Sequence, residues 1–541
     1  MTARVAVVGG GITGLAAAWE LLRSGAEVMV LESSDHLGGK IVTDDIGGHR
    51  VDLGPDAFVA RTPEATELCR ELGLEDDLVT AATDHASVWV GGRLRPLPRD
   101  ILLGVPSRLR SVARSGILSP GAVARLALDG LLPRRRAKDS DGDTSVGDLV
   151  AARLGRQVHD RLVDPLFGGI HAGPSKELSV LATAPQLAAA ASSRSLMRGV
   201  RAQRGDEVRP SFHSLRGGMG QIVGRLEEEL RDGGAIIRLE SPVDSVPVEG
   251  ADATIVATPA HITAGLVTTA SPDAAAELRS IHHASVTVTV LVYPASAFPD
   301  PPDGSGFLVP RSEQNLITAC SFGSSKWPHW AEPDEVVLRV SAGRFGDERA
   351  LEMKDVELVQ HLHNELVEVL QLTQAPVRAR VTRWVDAFPQ YRVGHLDRVA
   401  SMEAALRRDL PGVEVVGAAY RGLGITTCIA QGRAAARRVL ASVDTTQPAA
   451  DSGVHDSGVH QPDARHPGSE DRDGDFEDVE YLEVVSPPRV SAWATVELGQ
   501  TEQKQPTQGA EPGEPTSVGT SWPTPSSPGD GPEHDDDVDD S

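Results

Sequence analysis

The chain has 541 residues, 52 Lys plus Arg against 77 Asp plus Glu, a formal net charge of −25, and three cysteines. That length supports more than one domain, and the acidic balance disfavours nucleic acid as a partner because phosphate repels it. Cys69, Cys320 and Cys428 have neither metal-ligand nor CxxC spacing, which argues against a zinc site, a redox dithiol or a disulfide framework and for a reducing, cytoplasmic compartment.

Arg4–Val8 reads as a short buried strand running directly into Gly9-Gly10-Gly11-Ile12-Thr13-Gly14, so no signal peptide is expected. An amphipathic helix from Leu15 to Arg23 follows, then a second apolar strand, Val28–Leu31, ending on Glu32. Strand, GxGxxG turn, helix and strand with a terminal acid form a dinucleotide-binding unit. In it Gly9 permits the tight turn, Gly11 lets the backbone approach a pyrophosphate, and Gly14 lets the helix pack closely. The anion sits on the helix N-terminus, and Glu32 accepts from ribose hydroxyls. Leu37-Gly38-Gly39-Lys40 gives a second close passage, with Lys40 near the phosphates or ribose, and Val51–Ala57 gives a third, suited to a loop beside a flavin ring. These passages favour FAD over NAD.

Further along, Ile101–Leu132 is apolar with scattered Arg and reads as a helical lid over a substrate pocket, and Arg134–Asp143 is a polar break. Gly217–Gly220 is a turn leading to a helix over Gln221–Leu230 and strands at Ile236–Leu239 and Ala253–Pro259. Ser285–Val290 alternates at period two, as in a half-buried sheet. Val413–Val416 is a strand before a Gly-rich turn and a helix from Cys428, which again aims a helix N-terminus at an electron-rich group; Gln431 and Gly432 read as packing residues. No apolar run reaches the ~18–20 residues of a membrane span. Residues 451–541 carry 22 acids and 4 bases, a net of −18 that leaves about −7 for the first 450. Such a tail cannot offset the ordering entropy of ~1–2 kcal/mol per residue and is expected to be disordered. Its acidic-apolar island, Val479–Val485, is a candidate dock for a partner.

Over residues 4–442 the chain resembles the bacterial protoporphyrinogen/coproporphyrinogen oxidases of the amine-oxidase-like flavoprotein superfamily. The general motifs are VVGGGITGLAAAWEL at 7–21 and GPDAF at 54–58; the more specific ones are LVDPLFGGIHAG at 162–173, SGFLVPR at 305–311, ITACSFGSSKWPHWA at 317–331 and FPQYRVGHL at 388–396. The resemblance implies FAD contacts at Gly9, Gly10, Gly11, Ile12, Thr13, Gly14, Glu32, Ser33, Lys40, Gly54, Pro55, Asp56, Ala57, Val243, Trp384, Ile425, Thr426 and Thr427. Thr426-Thr427 departs from the Pro-Asp common in the family, so contacts there are expected through the backbone. Trp384 is equally compatible with plain core. Lys176, Arg198, Arg311 and Lys326 lie in family-like segments and are candidates for the substrate propionates.

The expected fold class is α+β (mixed). It has a Rossmann-like FAD-binding domain from 1–85, 208–265 and 410–445, a helical subdomain at 96–207, a mixed-sheet substrate domain at 275–395, and a disordered acidic tail at 446–541. The implied reaction is six-electron dehydrogenation of coproporphyrinogen III with O2 as acceptor, protoporphyrinogen IX being the alternative. A ferrochelatase-type enzyme is the candidate partner of the tail. No general base is identified; His171 reads as structural. An amine or carotenoid oxidoreductase on the same fold is a rival reading, disfavoured by the 4% aromatic content.

Overall fold

A computed structural model describes residues 2–131, 143–204, 212–446 and 495–497. The polar break at 134–143, except Asp143, lies outside these residues, as does the 446–541 segment apart from Thr446 and Thr495–Glu497, with the island at 479–485.

The fold is mixed α and β. Five parallel strands form the first sheet, in the order Ile236–Arg238, Glu27–Leu31, Arg4–Val8, Ala253–Val256, Val413–Val415. Apolar residues cover both of its faces, as a sheet sandwiched between helices requires. The helix Ile12–Arg23 buries Leu15, Ala16, Ala17, Ala18 and Leu21 against it. The C-terminal helix Ile425–Thr446 crosses that first helix closely, because a Cβ on Gly432 would stand 2.2 Å from the Thr13 carbonyl oxygen. This helix begins at Ile425, three residues before the sequence placed it, so Ile425, Thr426 and Thr427 form its first turn.

An eight-stranded sheet makes the second layer, ordered Thr495–Glu497, Arg378–Pro389, His283–Pro294, Glu335–Ala342, Ile317–Phe322, Gly306–Leu308, Ser87–Trp89, Leu94–Pro96. Its pairs are antiparallel except Gly306–Leu308 with Ser87–Trp89. The alternation at 285–290 does not mark a half-wet sheet: every residue from Ala284 to Tyr293 is buried. Val286, Val288, Val290 and Val292 pack against Trp327, Trp330 and Trp384, while Leu291 and Tyr293 meet the helix Asp355–Leu370 on the other face. Of the two buried threonines on that face, the Thr287 hydroxyl donates to the Ala342 carbonyl at 3.3 Å, while the Thr289 hydroxyl has no hydrogen-bond partner among the described residues.

The region expected to be a helical lid opens instead on a two-stranded hairpin, Ile101–Leu102 with Val105–Pro106, before the helices Leu109–Ser115 and Pro120–Ala127. Leu103 and Gly104 at its tip take left-handed φ values of 49° and 79°, which a helix cannot accommodate. Helices from Val146 to Arg204 complete this third cluster. Among the described residues, no helix is long and apolar enough to cross a membrane.

Candidate active site

In an open parallel sheet, ligands bind outside the carboxyl ends of the strands. Strand register brings those ends together here: Val8 lies beside both Leu31 and Val256, and Val256 beside Val415. The loops at Gly9, Glu32, Ala257 and Gly417 therefore share one edge.

The Gly-rich turn is built by backbone bonds. Gly9 N donates to the Leu31 carbonyl at 2.8 Å, and Gly38 N to the Gly10 carbonyl at 2.9 Å, so the second glycine pair packs directly on the first loop. Gly9 needs its φ of 106° for this turn. Gly14 cannot carry a side chain, since a Cβ there would stand 2.0 Å from the Gly9 oxygen. Gly11 differs: its φ of −72° suits any residue, and a Cβ on it would meet nothing within 4 Å. The space above Gly11 is open, the helix beginning at Ile12 has no side-chain cap, and no acid lies in its first turn. That is a cradle shaped and polarised for a diphosphate.

Glu32 lies beside it. One carboxylate oxygen accepts from Gly10 N at 2.7 Å, the other from Ser34 N at 2.8 Å and from the Ser33 hydroxyl at 3.2 Å. The second oxygen also accepts from the Ser34 hydroxyl at 2.8 Å and is saturated, so it is the first, bonded only to Gly10 N among the described residues, that has a lone pair left for a ribose hydroxyl. Glu32 also holds the 238–241 segment, through Glu32 N to the Arg238 carbonyl and Ser241 N to the Glu32 carbonyl, which places Val243 on this side of the sheet. Lys40 turns away from the glycine loop, and its ammonium donates to the Ala387 carbonyl at 2.8 Å.

Gly54, Pro55, Asp56 and Ala57 are buried. A Cβ on Gly54 would fall 1.9 Å from the Lys40 carbonyl oxygen, so the second and third passages are in van der Waals contact. The Asp56 side chain is bonded within the protein. It pairs with Lys326 at 2.9 Å and Arg339 at 3.2 Å and accepts from the Trp327 indole at 2.9 Å. Burial alone would raise its pKa, but the two cations and these bonds hold it well below the usual carboxylate range. Arg339 also donates to the Gly54 carbonyl at 2.5 Å. Trp384 is fully buried among the sheet residues, its indole donating to the Leu53 carbonyl at 3.0 Å; it shapes the loop from behind. Beneath the same loop, burial pushes the Asp52 carboxyl up to about 7, although Thr43 and Met219 N both donate to it.

A cavity opens at the far end of this edge, lined by Val59, Leu103, Ile170, His171, Thr183, Tyr391 and the start of the C-terminal helix from Gly422 to Thr427. Tyr391 fixes that turn: its hydroxyl donates to the Ala418 carbonyl at 2.6 Å and accepts from Gly422 N at 2.8 Å. His395 stacks on Tyr391 at 4.0 Å and bonds the Tyr420 carbonyl at 2.8 Å. Gln390 donates to the His171 carbonyl at 2.8 Å. Sequence reasoning quoted the segment holding these three residues without assigning them a task.

None of the four cations proposed for propionates lines the cavity. Lys176 and Arg198 are exposed, Arg311 lies 3.4 Å from Asp164, and Lys326 is committed to Asp56. Among the described residues no cluster of His, Cys, Asp and Glu could hold a metal, and the three cysteines are buried thiols.

Comparison with known proteins gives this geometry a family. Residues 12–440 match the model of the flavin containing amine oxidoreductases. The coproporphyrinogen III oxidase of Bacillus subtilis is 32% identical over 458 residues, spanning 80% of this chain and 96% of that protein. That of Mycobacterium bovis is 36% identical over 458 residues, spanning 81% and 97%. A crystal structure assigned as a protoporphyrinogen oxidase, from Exiguobacterium sp. 255-15, superposes with a TM-score of 0.73 at 30% identity, spanning 81% of this chain and 99% of that one.

Proposed function

The chain belongs to the flavin containing amine oxidoreductase family, it is an FAD-dependent oxidoreductase, and we propose that it oxidises coproporphyrinogen III to coproporphyrin III in haem biosynthesis. The observation that carries this reading is similarity above 30% along almost the full length of oxidases with that substrate in their names.

Bound flavin supplies the hydride acceptor. The protein's share of the work is binding, orientation and exclusion of water. Backbone N–H groups at Gly11–Gly14 hold the diphosphate, Glu32 takes the ribose, and the buried Gly54–Ala57 strip forms a wall for the ring. The N-terminus of the helix at Ile425, steadied by Tyr391, offers its positive end to the electron-rich end of the cofactor. Three two-electron steps together remove three hydrides from meso carbons and three protons, two from pyrrole nitrogens and one from the fourth meso carbon, while three O2 are reduced to three H2O2. No charged side chain lines the cavity, in keeping with a reaction driven by the aromaticity of its product.

The test is turnover in air by the flavin-loaded protein, following porphyrin fluorescence from coproporphyrinogen III and protoporphyrinogen IX in parallel, with H2O2 measured. Faster production of coproporphyrin with stoichiometric peroxide supports the proposal. A preference for protoporphyrinogen IX moves the reading to the alternative, which the Exiguobacterium relative favours. Turnover of amines alone overturns both. We assign the acidic residues 451–541 a tethering role towards a ferrochelatase-type enzyme in the cytoplasm. Their deletion is expected to spare turnover and to lower flux to the next enzyme.

A further inference from the structure

The cavity wall contains one polar side chain whose bonding is incomplete. His171 is 6% exposed and closes the helix Asp164–His171. It stacks on Phe167 at 5.8 Å and faces Tyr391 at 6.3 Å. Its backbone is fully used, the carbonyl accepting from Gln390. Its ring is not. Nδ1 is sealed from solvent with no partner; Nε2 is not sealed in this way and bonds no described residue. A sealed polar atom without a partner costs stability, and native structures keep such atoms mainly where a ligand or a function requires them.

The choice of nitrogen sets the chemistry. Orphaned buried N–H donors are rarer than under-satisfied acceptors, so the proton belongs on Nε2, and Nδ1 is left as an idle acceptor. Burial pushes the imidazole pKa down to about 3, which keeps the ring neutral and makes it a poor base. The ring therefore presents a single N–H to the cavity. A porphyrinogen offers pyrrole N–H and meso C–H groups, none of them acceptors. Its only acceptor atoms are carboxylate oxygens.

Resting on the function proposed above, we infer that His171 is a substrate-contacting residue whose Nε2–H donates to a propionate carboxylate of the porphyrinogen. Protoporphyrinogen keeps two propionates and carries vinyl groups in place of coproporphyrinogen's other two, so comparing the two substrates shows which pair of propionates the contact serves.

The experiment uses the full flavin-loaded chain as wild type, His171→Phe and His171→Gln. Phe keeps the stack on Phe167 and deletes the donor; Gln restores an N–H. KM and kcat are measured for both porphyrinogens, with the flavin absorbance spectrum and the melting temperature. For His171→Phe the expected result is a KM for coproporphyrinogen III raised about tenfold or more, as for a hydrogen bond to a charged acceptor, with kcat changed less than about twofold. Its flavin spectrum is unchanged and its melting temperature equal or higher, because a sealed unpaired nitrogen is gone. His171→Gln recovers most of the KM. An unchanged KM in the Phe variant overturns the inference. So does a shifted flavin spectrum with KM intact, which would assign the donor to a flavin carbonyl. A fall in melting temperature together with a raised KM in both variants would make the ring structural. If His171→Phe does not fold, His171→Leu replaces it, and failure of both also refutes the inference. A wild type that turns over neither porphyrinogen fails the proposed function itself; a working wild type matched by the Phe variant fails this inference alone.

Discussion

Replacing Gly11 by Ala separates what the fold needs from what the cofactor needs. At φ −72° and ψ 173° Gly11 sits in extended backbone, and its missing Cβ would meet nothing within 4 Å. The polypeptide alone should therefore accept the methyl. Restricting the unfolded chain should even stabilise the apoprotein by ~0.4–1 kcal/mol. The cofactor should not accept it, because the methyl occupies the space through which the diphosphate reaches the N–H groups of the first turn. Losing one charge-assisted bond of ~1.5–3 kcal/mol raises the FAD Kd by about 10–150-fold. The assay is calorimetric titration of apoprotein with FAD, paired with thermal melts of the apo form. Gly14→Ala is the control: its Cβ would collide with the Gly9 oxygen at 2.0 Å, so the apo melting temperature should fall as well. A Gly11→Ala protein that binds FAD like wild type, or whose apo form melts well below wild type, would refute the cradle.

Asp56→Asn leaves Lys326 and Arg339 buried without their counter-charge; a loss of ~3–5 kcal/mol is expected, read as a lower melting temperature together with weaker FAD retention. Tyr391→Phe removes both the donor to Ala418 and the acceptor for Gly422. With two backbone groups left unpaired at ~1–3 kcal/mol each, the visible flavin spectrum should broaden and kcat should fall. Burial raises the Asp52 carboxyl from the ordinary 3.8 to about 7. Because the folded pKa is raised, its contribution is full below pH 4 and is lost as pH rises through 7, an effect of about 4 kcal/mol. Asp52→Asn should flatten the stability profile between pH 4 and 7 in urea titrations; an unchanged slope would place the effect elsewhere.

How much of this was legible in the sequence depended on the range of the contacts. The dinucleotide unit was readable because Gly9, Gly11, Gly14 and Glu32 act within one local βαβ turn, where spacing is itself geometry. Asp56 was read as a cofactor residue for its place in the DLGPDAF passage, but its partners Lys326, Trp327 and Arg339 lie about 270 residues away, and nothing local announces them. Tyr391 and His395 stood in a recognisable segment, yet their task exists only against the 418–422 turn. The period-two run at 285–290 signalled a strand correctly and its surroundings wrongly, because alternating Val and Thr fits a strand covered on both faces when each hydroxyl can find a bond or be left idle. The four cations lie away from the cavity for reasons a sequence does not display: Arg311 and Lys326 face the internal carboxylates of Asp164 and Asp56, and Lys176 and Arg198 are exposed.

The strand order of the parallel sheet also sets a timetable for synthesis. The central strand Arg4–Val8 leaves the ribosome first, but its neighbour Ala253–Val256 and the outer strand Val413–Val415 come much later. At ~5–20 residues per second, roughly a dozen seconds or more pass before Ala253–Val256 can pair, and about 20–80 s before the sheet is complete. Throughout that wait an apolar, hydrogen-bond-hungry flank stays uncovered on the nascent chain, a target for holding chaperones or for aggregation. The helix that steadies the cofactor's ring end follows only after both of these strands, so the complete cofactor site forms late in synthesis. A ribosome stalled before Ile425 would release a protein with a diphosphate cradle but an unfinished site.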